Sequence, residues 1–167
     1  MDKIFTESGY CFDFTNSLNS YKADFVQYHD LSAVDFVVET ENNVFFIEVK
    51  NPDDKHSTIK NRKEFFNDLQ NDLYPYKASA KFTNMLLRKW VTGDFYHKPI
   101  IFVFILEYKE LSCVIRRKLK DKIFNRLPFS LNKQEFEGKE RFEKFELLSI
   151  EEFIKLYPEF TIKEIAQ

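Results

Sequence analysis

The chain has 167 residues, 44% hydrophobic and 17% aromatic, with 20 Phe and 8 Tyr but only 3 Gly and 5 Pro; this excludes disordered, collagen-like and low-complexity architectures and fits one domain with its own core. Its 25 basic and 27 acidic side chains leave a net charge of -2 with His neutral, so no global positive field draws nucleic acid and any polyanion contact must come from a local patch. No apolar run reaches the roughly 18 residues of a membrane span, no signal-peptide stretch opens the chain, and Cys11 and Cys113 have neither disulfide-scaffold nor zinc spacing; a cytoplasmic protein with two reduced core thiols and no membrane partner is expected.

Tyr10 to Thr15 reads as a first strand, and Asn16 to His29 as a polar connection, irregular or briefly helical. Ala33 to Glu39, the polar turn Thr40 to Asn43, and Val44 to Lys50 form the clearest pattern, a β-hairpin. One face carries Val34, Phe36, Val38, Phe45, Ile47 and Val49 and the other Val37, Val44 and Phe46, which predicts a sheet covered by helices on both sides. Ser57 to Tyr74 has helical spacing, and Pro75 either ends that helix or kinks it before a second helical stretch, Lys77 to Trp90. Ile100 to Tyr108 is an apolar strand, Ser112 to Leu127 an amphipathic helix, and Phe142 to Leu148 a last strand. Ser149 and Glu152 form a capping box opening a short helix closed by Pro158. The order predicts an α/β or α+β fold around a mixed sheet.

Asp35, Glu48 and Lys50 are the candidate catalytic residues. Glu48 and Lys50 are two apart on one strand and share a face. With a four-residue turn, Asp35 is paired with Glu48, their Cβ atoms about 5 Å apart. Two desolvated carboxylates so close call for a cation. Mg²⁺, with Mn²⁺ as substitute, suits hard oxygen ligands, and Asp35 and Glu48 are the candidate metal ligands. Lys50 can stabilise charge developing on a phosphoryl group or orient a water.

Asp35 followed by Glu48-Val49-Lys50 resembles the PD-(D/E)XK nuclease superfamily, with Val34-Asp35 in place of Pro-Asp. The resemblance spans roughly residues 10 to 108, leaving 109 to 167 as a helical, basic C-terminal extension of a single domain. It implies a restriction-endonuclease-like mixed central sheet flanked by helices, and Mg²⁺-dependent hydrolysis of phosphodiester bonds in DNA in preference to RNA. Gln70 and Tyr74 resemble the Gln-x-x-x-Tyr signature of the RecB-like branch and would contact the DNA backbone. That branch carries an upstream His; His29 lies upstream on no recognisable motif. The family's first helix brings an acid to the site, but no helix precedes Tyr10, so Glu7, Asp13 and Asp24 are set aside as ligands.

Glu107-Tyr108-Lys109 and Glu137-Gly138-Lys139 also match Glu-x-Lys, and Asp94 precedes Glu107 by the interval between Asp35 and Glu48. A continuous strand up to Glu107 would hold that rival pair roughly 25 Å apart. His56 and His97 have no partner at ligand spacing. Arg116, Arg117, Lys118 and Lys120, in a basic run extending through Lys122 and Arg126, are candidate phosphate contacts. With a net charge near zero, capture of DNA is expected to be weak or to rely on a dimer or a partner protein. The alternative is a catalytically inactive nuclease-fold module serving as a nucleic-acid or protein interaction surface, its three polar residues kept as a salt-bridged strand end.

Overall fold

The computed structural model of the protein describes residues 3–24, 31–55, 57–93, 97–129 and 142–165. In chain order, its elements are β1 (Ile4–Glu7), β2 (Tyr10–Asp13), β3 (Asn19–Lys22), β4 (Phe36–Glu39), β5 (Val44–Lys50), α1 (Ile59–Gln70) and α2 (Leu73–Thr92). They continue with β6 (Ile100–Leu106), α3 (Cys113–Phe124), β7 (Phe142–Leu148), α4 (Ile150–Leu156) and β8 (Thr161–Glu164). The architecture is α+β, with a mixed sheet in the order β3-β4-β5-β6-β7 and a small antiparallel sheet in the order β1-β2-β8. Among the described residues no helix is long and apolar enough to cross a membrane.

The β4–β5 hairpin forms as its residue pattern predicts. Thr40 N–H donates to the Asn43 carbonyl at 2.9 Å and Asn43 N–H to Thr40 Oγ1 at 3.1 Å, closing a four-residue turn that sets Phe36 opposite Ile47 and Glu39 opposite Val44. Parallel pairing of β5 with β6 requires a long crossover, which α1 and α2 supply. Every residue of β6 is buried, as its unbroken apolar run requires of a strand covered on both faces.

The two covers differ from expectation. Val37, Val44, Phe46, Phe102 and Phe104 pack under Ala78, Phe82 and Met85 of α2 and Leu119 and Ile123 of α3. Phe36, Val38, Phe45, Ile47 and Val49 face Phe12, Phe14, Ile162 and Phe153 instead, so the small sheet, joined by α4, covers the second face. Helices on both sides are therefore corrected to helices on one side and a sheet with a helix on the other. The physical reason is aromatic bulk on β2 and beside it: Phe12 meets Phe36 at 4.9 Å and Phe14 meets Phe160 at 5.3 Å between ring centroids. Val34 belongs to the first core rather than the second, because strand alternation starts only at Phe36.

Other boundaries also move. The connection from Asn16 onward contains β3, a polar edge strand paired with β4. The helix expected over Ser57 to Tyr74 breaks after Gln70: Asp72 adopts φ 58 and α2 starts at Leu73. Pro75 thus sits in the first turn of α2, where a missing N–H leaves no bond unmade. The Ser149–Glu152 capping box is present, both of its hydrogen bonds formed. Neither cysteine is in the core: Cys11 points away from Phe12 and is half-buried, and Cys113 opens α3 and is exposed.

Ser8 and Gly9 join β1 to β2 with φ 51 and 85, a two-residue turn of the kind that matches strand twist. A Cβ on Gly9 would lie 2.5 Å from Asp54 Oδ2. Gly9→Ala is expected to lower stability by about 1–2 kcal/mol, measured as a lower urea midpoint at unchanged slope.

Candidate active site

The residues of β5 that face α2 are Val44, Phe46, Glu48 and Lys50. The first two enter the apolar core, and the last two emerge at the C-terminal end of the strand. Continuing the hairpin register by one residue sets Asp35 beside Glu48. Both carboxylates are buried, at 5% and 1% exposure. Asp35 Oδ2 accepts the Val49 N–H at 2.7 Å, so the side chain supplies an acceptor to β5 just before β4 begins. Lys50 Nζ lies 3.5 Å from Glu48 Oε1, with its side chain 39% exposed. From α2, Lys81 Nζ donates to both oxygens of Glu48, at 2.6 and 2.7 Å, and lies 4.0 Å from Asp35 Oδ1.

Burial, followed by the charge of Glu48, pushes Asp35 from 3.8 up to about 7, against the opposing effects of Lys81, Lys50 and the Val49 N–H. Burial lowers Lys50, but Glu48, Asp35 and Glu7 outweigh it and the ammonium is held above its usual range. The pocket thus favours positive charge and resists a second negative one.

Glu7 and Asp24, set aside on sequence, lie at this site. Their carboxylate oxygens and that of Asp35 are all within 4.8 Å of one another. The acid on the N-terminal side comes from a hairpin rather than a helix, and the signal that could have found it is the Ser8-Gly9 turn between two short strands. Asn51 Nδ2 donates to the Ser8 carbonyl at 3.1 Å, tying that turn to the loop after β5. Lys22 pairs with Glu7 at 2.9 Å. Outside Glu7 opens a groove of about 660 Å³ whose lining includes Asp53, Asp54, Lys55, Lys109 and Glu164.

The remaining candidates stand apart from this cluster or in other roles. Tyr74 is buried, its ring 4.7 Å from Phe65 and 5.6 Å from Phe104, and is a core residue rather than a surface contact. It is on α2, whereas Gln70 ends α1, so the two do not share a helical face; the Gln70 side chain lies outside the described residues. Arg116 is engaged by Glu152 and the Leu147 carbonyl, and Lys120 by Glu146 at 2.8 Å. Arg117 and Lys118 are exposed on α3. Glu107 accepts the Ile150 N–H at the start of α4. His97 is exposed; His29, His56, Asp94 and Glu137 to Lys139 lie outside the described residues.

No family model, curated protein or solved structure matches the chain.

Proposed function

We propose that the protein is a Mg²⁺-dependent nuclease that hydrolyses DNA phosphodiester bonds, with Asp35 and Glu48 as metal ligands and Lys50 beside the nucleophile. The observation that carries this reading is the pair of buried carboxylates, Asp35 and Glu48, at the end of a strand that otherwise buries only apolar side chains on both faces. The donor set fits the metal: carboxylate oxygens only, with Glu7 and Asp24 next to Asp35, and no sulfur or imidazole among them. A bound Mg²⁺ supplies Lewis-acid polarisation of a phosphoryl oxygen and a more acidic water. The chain's own residues do the rest. Asp35 and Glu48, fixed by the hairpin register and by the Val49 N–H, set the position of positive charge. Lys50, partly exposed, presents an ammonium toward an incoming phosphate and holds its proton because Glu48 and Asp35 stabilise it. Among the described residues, Arg117, Lys118 and Arg126 are the exposed members of the basic run that no acid engages, since Arg116, Lys120 and Lys122 are paired with Glu152, Glu146 and Asp72.

One observation favours the alternative, an inactive module of this fold. Both oxygens of Glu48 are already satisfied by Lys81, so this carboxylate is charge-compensated without a metal. Cleavage of supercoiled, linear and single-stranded DNA with Mg²⁺ or Mn²⁺, run beside Asp35→Ala and Lys50→Ala, decides between them. Each substitution is expected to lower the rate at least about 10²-fold. Cleavage that survives both substitutions would remove this site from the reaction. No cleavage by the parent, together with no metal-induced rise in melting temperature, would leave the interaction module as the reading.

A further inference from the structure

We infer that Lys81 is an internal cation that competes with a divalent metal for Glu48, so that metal entry requires the ammonium to leave. The inference rests on the metal-site reading above and specifies how that site is regulated.

Lys81 is the one cation seated on both oxygens of Glu48 among the described residues, and Asp35 Oδ1 is the next carboxylate oxygen it approaches. A metal bound between Asp35 and Glu48 needs those same oxygens. Ammonium and metal at the same oxygens repel each other, and Glu48, at 1% exposure, has no solvent through which to screen them. Lys81 has somewhere to go. Its side chain is 21% exposed and leaves an outer flank of α2, while its neighbours Ala78 and Phe82 point into the core. Lys50 differs: it touches Glu48 through a single oxygen at 3.5 Å and is more open, so it can stay while a metal binds. Two lysines on one carboxylate therefore divide the work. Lys81 neutralises Glu48 until a metal arrives, and Lys50 remains for the reaction.

The test is calorimetric titration of the full chain with Mn²⁺, in the parent, in Lys81→Gln and in Lys81→Arg. A neighbouring cation disfavours proton binding to a carboxylate by roughly one to three pK units, so removing it is expected to tighten Mn²⁺ binding by about tenfold or more. Lys81→Arg keeps the charge and is expected to bind no tighter than the parent. Binding by Lys81→Gln alone also supports competition. Equal affinity in parent and Lys81→Gln would overturn the inference and leave the metal site standing, whereas no binding in any form would overturn both. Should Lys81→Gln fail to fold, amine labelling of the parent read by mass spectrometry replaces it. Saturating Mg²⁺ is expected to raise modification of Lys81 several-fold while the remote Lys144 is unchanged; Lys81 labelling indifferent to bound metal would overturn the inference.

Discussion

Between pH 4 and pH 8 the parent is expected to lose stability relative to Asp35→Asn by about 4 kcal/mol, from a carboxyl raised from 3.8 to about 7 at 1.36 kcal/mol per unit. The direction follows from proton counts. Below pH 4 both the folded and the unfolded chain hold the proton. Between pH 4 and about 7 the folded chain keeps a proton that the unfolded chain has released, so stability falls as pH rises. Above that range both are ionised and the full burial penalty, made worse by Glu48, is present. Asn keeps an oxygen for the Val49 N–H and carries no charge, so its urea midpoint is expected to lack this part of the pH slope. Comparing parent with variant at each pH cancels the other titrating groups. Parallel curves would show that Asp35 titrates normally and that its neighbours already compensate its charge.

Phe82→Ala is expected to cost about 3–5 kcal/mol, the range for emptying a fully buried aromatic site. The ring is 0% exposed and stands 5.6 Å from Phe46, 5.1 Å from Phe102 and 5.7 Å from Phe142, joining α2 to three strands of the mixed sheet. Because Lys81 precedes it, the same truncation loosens the seat from which the ammonium reaches Glu48. Phe82→Leu, which fills part of the space, is expected to lose less. Urea unfolding at fixed pH measures both, and a loss below about 1 kcal/mol for Phe82→Ala would contradict this packing.

The hairpin and the convergence of Asp35, Glu48 and Lys50 were legible because they depend on short-range rules. Period-two alternation sets the face, and the Thr40 to Asn43 turn sets the register. The α+β class followed from the same patterns. β1, β3 and β8 were not legible, because four residues such as Asn19 to Lys22 or Thr161 to Glu164 carry too little apolar contrast to announce a strand, and they exist through pairing with a neighbour. The reach of Lys81 to Glu48 depends on how α2 is rotated over the sheet, which no spacing in the chain encodes. Glu7 was passed over because a helix was expected to deliver the acid, whereas a turn closed by Gly9 does so. The pairing of Gln70 with Tyr74 failed for a local reason, the left-handed residue Asp72 between them.

The pairing of β2 with β8 sets an order of events on the ribosome. Tyr10 lies opposite Glu164 and Asp13 opposite Thr161, so the hairpin that carries Glu7 has one edge open until that late segment has been translated. A nascent chain that has emerged only through β6 already contains Asp35, Glu48 and Lys81, but β2 still lacks β8 as its second neighbour. The lysine that neutralises Glu48 in the finished fold is therefore made well before the strand that completes the support of Glu7.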